Sequence, residues 1–180
     1  MKSIVLETQG LKLRQLTLED TIEMTGYLNE KELVRYLDVR IPLNPDLVAV
    51  MIKTAARKWR EGTALTFGIE DRVTNQLLGV ASIDDIDRNL SKATASVWVG
   101  RPNQTHGIAH ESLKLIIDFA FKKLKLNKIE FHIMAINQAA RTLAENLGAK
   151  YEGTLRENFR KKDELADEAI YSIMSRDWRL

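Results

Sequence analysis

One loop in the middle of the chain reads Gln104-Thr105-His106-Gly107-Ile108-Ala109. It follows a stretch rich in Val, Thr and Trp, which predicts a strand ending at Val99, and it precedes a strongly patterned helix. The first backbone amides of a helix have no partner inside the helix, and the helix dipole favours an anion there. A glycine lets a ligand approach the backbone closely. The loop is therefore suited to binding a phosphate group.

Two common phosphate-binding motifs are excluded. The GK[ST] end of a P-loop is missing, and Gly107 stands alone where a dinucleotide fingerprint would have three glycines. A strand, a loop with one glycine and a helix also occur as a plain connection in many α/β proteins. The loop by itself therefore does not name a ligand.

Downstream of the loop, apolar residues recur at helical spacing: Leu113, Ile116, Ile117, Ala120, Phe121 and Leu124. A strand is predicted over residues 129–136, followed by a helix that Asn137 caps and Gly148 ends. Two closing strands are predicted over residues 151–155 and 168–175, with a charged loop at residues 160–163 between them.

Upstream of the loop, the pattern predicts a strand at Leu11, a helix that Thr17 caps, and a second helix from Asn44-Pro45-Asp46 to Gly62. Three strands with short connections follow, over residues 65–69, 77–83 and 93–99. Short connections between consecutive strands indicate an antiparallel meander. The order of elements predicts an α/β fold of mixed α+β character, in which a mixed sheet packs against helices.

Length and composition exclude several classes of protein. A length of 180 residues suits one domain over residues 1–180. The 27 Lys and Arg and the 25 Asp and Glu give a net charge of only +2, which is no reason to expect a nucleic acid or a membrane as partner. The chain has no cysteine and three histidines, so we expect no metal site. His132 alternates with apolar neighbours and is expected to be structural. Without a signal peptide or a span of about 20 apolar residues, we expect a cytoplasmic protein.

The loop fits the pattern Q/R-x-x-G-x-G/A and thereby resembles the acetyl-CoA pyrophosphate loop of the GNAT N-acetyltransferase superfamily. Four further stretches match in the same order: Trp98-Val99-Gly100-Arg101-Pro102, Asn137-Gln138-Ala139-Ala140-Arg141, Leu147-Gly148-Ala149 and Glu152-Gly153-Thr154-Leu155-Arg156-Glu157. This succession is similar to that of the ribosomal-protein N-terminal alanine acetyltransferases, a branch of the superfamily. The resemblance covers residues 11–178. It implies the GNAT fold, whose largely antiparallel mixed sheet has helices on both faces.

The same resemblance implies a co-substrate and its binding residues. Acetyl-CoA would bind through its pyrophosphate at Gln104, Thr105, His106, Gly107, Ile108 and Ala109. Asn137 would contact the pantetheine arm, and a plain helix cap is its alternative role. The strands before Arg101 and after Lys128 are expected to splay apart, and the resulting slot would be bordered by Val97, Trp98 and Val99.

Four positions depart from the family pattern. Thr105 stands where glycine is usual, Thr94 where an acidic residue is common, Ala140 where serine is frequent and Ala144 where many members have tyrosine. The usual catalytic base and acid are therefore missing. Asp84 and Asp85, at the end of a predicted strand, are the predicted catalytic substitutes, and they would also attract a cationic acceptor. The alternative is a solvated acidic turn.

The implied reaction is acetyl transfer to a primary amine by direct attack in a ternary complex. Proximity alone supplies about 7–11 kcal/mol, whereas a positioned acid or base adds about 10²–10⁴-fold. A weak base favours an α-amino group, with a pKa of about 7.7–8.0, over a lysine at about 10.4. The acceptor is thus predicted to be a protein N-terminus or a small amine.

Three alternatives stay open at this point. One is a non-catalytic acyl-CoA-binding or regulatory module, which keeps the loop and has lost the acid and base. Another is transfer of a different acyl group, such as succinyl. The third is a homodimer, which the resemblance allows; residues 168–175 are the candidate pairing edge, because an exposed strand edge has to be covered or defended.

Overall fold

The computed structural model describes residues 4–161 and 164–179, and the strands within these ranges form one mixed sheet. Their bounds are β1 (Leu6–Glu7), β2 (Leu11–Gln15), β3 (Leu65–Asp71), β4 (Leu77–Asp87), β5 (Lys92–Val99), β6 (Lys128–Met134), β7 (Lys150–Lys161) and β8 (Glu164–Met174). They lie in the order β1-β2-β3-β4-β5-β6-β8-β7. The pairing of β5 with β6 is parallel, and the other pairs are antiparallel. The predicted meander and the largely antiparallel mixed sheet are confirmed.

The helices are α1 (Thr21–Leu28), α2 (Pro45–Glu61), α3 (Ile108–Lys122) and α4 (Gln138–Asn146). The predicted caps of α2 and α4 are confirmed, whereas Thr17 precedes a 3-10 turn, Leu18–Asp20, that leads into the first α-helix. The Asn44 side chain accepts a hydrogen bond from the Leu47 amide at 2.9 Å, and Gly62 ends α2 with φ 71°. The Asn137 side chain caps α4 by accepting from the Ala140 amide at 3.2 Å.

Two apolar clusters lie on opposite faces of the sheet. Val80 belongs to the cluster beneath α1 and α2, and its neighbour Ala81 belongs to the larger cluster beneath α3. Neighbouring residues of a strand point to opposite faces, so the sheet has helices on both sides. This confirms the predicted arrangement of the GNAT fold.

The closing hairpin differs from the prediction in length and position. The strands β7 and β8 reach Lys161 and start at Glu164, so Arg160 and Lys161 are strand residues, while residues 162 and 163 of the predicted charged loop lie outside the described residues. β8 lies between β6 and β7, so the prediction that residues 168–175 form a pairing edge is wrong. The edge strand at this end of the sheet is β7, because β8 is paired on both sides.

Candidate active site

The parallel strands β5 and β6 separate after a short paired stretch. Their register is Lys92 with Lys128, Ala93 with Ile129 and Thr94 with Glu130. Beyond Thr94 and Glu130 both strands continue without pairing to each other. The predicted splaying is thus present, and it leaves backbone donors and acceptors of both strands facing a gap.

The gap widens into two neighbouring cavities. The deep cavity, of about 130 Å³, lies between the separated strands, and the outer cavity, of about 390 Å³, extends to Gln104 and Thr105. The residues that line both cavities are Tyr36, Leu37, Val97, Asn137, Ala140 and Leu143. Because they share these walls, the cavities form one slot, which runs from the gap in the sheet to the start of α3.

The loop at the mouth of the slot is held in place at its first residue. The Gln104 side-chain amide donates to the Val99 carbonyl at 2.9 Å, which ties the loop to the end of β5. Within the described residues, the backbone amides of residues 105–110 donate to no protein acceptor. Gly107, with φ 76°, is the N-cap of α3, and a Cβ built there would meet nothing within 4 Å. Open space and free amides suit an anionic group.

Thr105 adopts a backbone conformation that normally belongs to glycine. Its φ is 70°, and its exposed hydroxyl donates to the Gln104 carbonyl at 2.5 Å. Of the other predicted loop residues, His106 is exposed, while Ile108 and Ala109 are half-buried in the first turn of α3.

The remaining predicted co-substrate residues line the slot. Val97, Trp98 and Val99 border the outer cavity, and Val97 also borders the deep one. Asn137 borders both cavities while its side-chain oxygen caps α4. The helix cap is therefore present, and it leaves the amide nitrogen of the same side chain for a ligand.

The two predicted catalytic aspartates have different surroundings. Asp84 accepts a short hydrogen bond from the Ser82 hydroxyl, which lies 2.7 Å from the Ser96 hydroxyl, and Ser96 lines the deep cavity. Burial raises the pKa of Asp84 above its ordinary value, and the charge of Asp85 acts in the same direction, whereas the Ser82 hydrogen bond opposes both. Asp85 is exposed in a β-bulge with φ 50°. The structure connects Asp84 to the slot. Neither aspartate follows the end of a strand as predicted, because β4 continues to Asp87, and Asp85 is exposed in a bulge of that strand rather than in a turn.

One cluster on the slot wall was missed by sequence reasoning. His132 lines the deep cavity, and its side chain is 39 % exposed rather than packed in the core. Its Nδ1 lies 3.3 Å from Glu168 Oε2, which also accepts from the Asn158 amide at 2.7 Å. The alternation of His132 with apolar residues was the available signal, but Glu168 and Asn158 become its neighbours only through the pairing of β6, β8 and β7.

Comparison with known proteins defines the class. The sequence matches the Acetyltransferase (GNAT) domain over residues 10–150. It is 28 % identical over 173 residues to the uncharacterised N-acetyltransferase p20 of Bacillus licheniformis, covering 96 % of this chain and 97 % of that protein.

Two solved structures have the same fold. One is the ribosomal-protein-S5-alanine acetyltransferase of Vibrio fischeri, with a TM-score of 0.86, 18 % identity and coverage of 98 % of this chain and 100 % of that chain. The other is the spermidine N-acetyltransferase of Vibrio cholerae in complex with CoA and spermine, with a TM-score of 0.82, 22 % identity and coverage of 94 % and 98 %.

The chain belongs to the GNAT acetyltransferase family. It is an acetyl-CoA-dependent N-acetyltransferase, and acetyl-CoA is its co-substrate. No helix in the described ranges is both long and apolar enough to cross a bilayer, and the described residues contain no group of three potential metal ligands. The cytoplasmic location and the single domain over residues 1–180 stay predictions.

Proposed function

We propose that this enzyme acetylates the α-amino group of a protein N-terminus by direct attack on bound acetyl-CoA. The observation that carries the proposal is the continuous slot between the free loop amides and the gap in the sheet. A ligand that follows this slot places an anionic group at the loop and its other end between β5 and β6. Acetyl-CoA has that shape, with a pyrophosphate at one end of the pantetheine arm and the thioester at the other.

The binding of acetyl-CoA is assigned mainly to the backbone. The amides between Gln104 and Ala109 bind the pyrophosphate, and the Asn137 amide and the unpaired edge of residues 97–99 bind pantetheine. Edge amides of β5 that point at the thioester carbonyl stabilise the negative charge that develops on its oxygen. This arrangement needs few side-chain charges, so the neutral loop residues are no obstacle.

Proton removal from the arriving acceptor is assigned to Asp84. An α-amino group is mostly protonated at neutral pH and has to lose one proton before it attacks. Ser96 and Ser82 connect the deep cavity to the Asp84 carboxylate, which is a better proton acceptor because burial raises its pKa. Such a relay is a weak base. It suits an α-amino group better than a lysine, because the α-amino group has the lower pKa.

The charge around the inner end of the slot also suits a cationic acceptor. Burial acts to raise the pKa of Glu130, but hydrogen bonds from Lys128 and Lys92 outweigh burial and lower it overall. Glu130 therefore carries its negative charge at neutral pH. It lies where β5 and β6 part, beside the position that the thioester would take.

The test compares three acceptors at equal concentration with acetyl-CoA. They are a lysine-free peptide with a free N-terminal alanine, the same peptide with a blocked N-terminus and one lysine, and spermidine. Mass spectrometry of the products and release of CoA thiol measure transfer. We expect the free N-terminus to be acetylated at least tenfold faster than the lysine peptide.

Each other outcome has a distinct meaning. Faster transfer to spermidine would assign a small polyamine as acceptor, as the name of the Vibrio cholerae relative says of that enzyme. Faster transfer to lysine would overturn the proposed acceptor class. Binding of acetyl-CoA without transfer to any amine would support the non-catalytic module. A parallel assay with succinyl-CoA tests the choice of acyl group.

A further inference from the structure

An imidazole, that of His132, lines the deep cavity on the side opposite Ser96. The last paired residues of β5 and β6 are Thr94 and Glu130. Ser96 and His132 each lie two residues further along, on the same face as these partners, and both line the deep cavity. The two side chains therefore flank the gap from its two sides, and each belongs to a separate hydrogen-bond network.

The imidazole is oriented by a carboxylate behind it. Glu168 is only 6 % exposed, and Asn158 holds its Oε2 atom by a hydrogen bond of 2.7 Å. The same oxygen lies 3.3 Å from His132 Nδ1. When Nδ1–H donates to Glu168, Nε2 carries the lone pair and is free to accept a proton from a substrate.

A second carboxylate near this imidazole, that of Glu130, is bound to two lysines and not to the imidazole. Glu130 Oε2 lies 3.9 Å from Nε2, which is beyond hydrogen-bond distance. Glu130 is itself held by Lys92 at 3.0 Å and Lys128 at 2.9 Å. A carboxylate occupied by two ammonium groups does not take the role of Glu168, so Nε2 stays available on the cavity side.

We infer that His132 is a catalytic residue, that it moves the second proton of the acceptor amine to the leaving sulfur, and that Glu168 is its positioning residue. The inference rests on the proposed function. The leaving sulfur needs a proton donor, and Ala140 and Ala144, which stand where the family has serine or tyrosine, have no hydroxyl to provide it. His132 fills this role. For this second proton, one imidazole that first accepts it and then donates it serves as both base and acid, while Asp84 removes the first proton.

The proton and electron balance of the step is complete without a further reactant. The neutral amine forms the N–C bond with the thioester carbonyl, and His132 Nε2 takes the proton that the nitrogen loses. As the C–S bond breaks, the sulfur takes the bonding pair, and the imidazolium returns the proton to it. The products are the amide and CoA thiol, and His132 ends in its starting state.

The test uses three variants of the full chain: His132→Gln, Glu168→Gln and, as the matched control, Glu164→Gln, which lies on the same strand β8 and is exposed. Steady-state kinetics with the best acceptor are measured across pH 5.5–9.5, and acetyl-CoA affinity is measured by calorimetry. We expect His132→Gln to lower kcat by about 10²-fold and to change the shape of the kcat–pH profile. Acetyl-CoA affinity should stay within about twofold, and Glu168→Gln should show a smaller loss of kcat of about tenfold.

A chemical rescue separates catalysis from a structural role. His132→Ala opens the slot wall, and added imidazole should restore part of its kcat, while Glu168→Ala should not respond to imidazole. Wild-type kcat and an unchanged pH profile in His132→Gln would overturn the assignment and leave the proposed function intact. A wild-type protein that transfers acetyl to no amine would overturn both.

Discussion

At the scale of single residues, Thr105 gives a direct test of how the loop is built. A β-branched residue with φ 70° costs about 1–2 kcal/mol, and a glycine there costs about 0.5–1 kcal/mol in chain entropy. We therefore expect Thr105→Gly to raise the free energy of unfolding by about 0.5–1 kcal/mol, measured by urea denaturation. Thr74→Gly, in a turn without positive φ, is the control and should lower it. A loss of stability in Thr105→Gly would mean that the loop is not left-handed at this residue.

The residue scale also separates what the sequence could predict from what it could not. Gly107 and Asn137 were predictable because their chemistry acts locally, at the start of a helix. Asp84 and Asp85 could not be told apart, because the bulge that exposes Asp85 depends on the pairing of β4 with β5. His132 and Glu168 are 36 positions apart in the chain and meet only through the pairing of β6 with β8. The alternation around His132 is a local signal, but its contact with Glu168 is not visible in any local pattern.

At the scale of elements, Gly79 shows how closely β4 and β5 approach each other. A Cβ at Gly79 would lie 2.3 Å from the Trp98 carbonyl oxygen and 2.8 Å from the Val99 Cα, and both are backbone atoms. We expect Gly79→Ala to push β5 outwards and to lower the free energy of unfolding by about 1–3 kcal/mol. Acetyl-CoA affinity should fall with it, because residues 97–99 border the slot.

The matched control is Gly26→Ala in α1, where a Cβ meets nothing within 4 Å. Alanine in a helix is more favourable than glycine by about 1 kcal/mol, so this variant should be more stable than the wild type. Thermal unfolding of the two variants side by side checks both expectations. Equal stability of the two would contradict the close approach of β4 and β5.

Element boundaries were predictable where apolar spacing or a cap marks them, as in α2 and α3. The hairpin of β7 and β8 was predicted too short because its outer half is polar and mostly exposed, so strand pairing rather than alternation of apolar residues defines it. The position of β8 inside the sheet was equally hidden, since order in a sheet is a tertiary property. The gap between β5 and β6 was expected only through resemblance to a known family.

At the scale of the whole molecule, the slot is assembled from distant parts of the chain. Tyr36, between α1 and α2, and Phe159, on β7, both line the deep cavity. Lys161 joins these regions, because its ammonium group donates to the Val34 carbonyl at 2.8 Å and also to the Arg35 carbonyl. The site is therefore built from the segment between α1 and α2 and the hairpin strand β7 as well as from β5, β6, α3 and α4.

Whether acetyl-CoA binds at the loop of Gly107 is tested most directly by calorimetry of acetyl-CoA with the wild type, Gly107→Trp and Gly62→Trp. Both glycines have positive φ, at 76° and 71°, and open space at the Cβ, so the two substitutions carry similar backbone strain. Gly107 stands at the slot mouth and Gly62 at the far end of α2. We predict binding by the wild type and Gly62→Trp, and none by a folded Gly107→Trp. Equal binding by all three, or no binding by the wild type, would contradict this prediction.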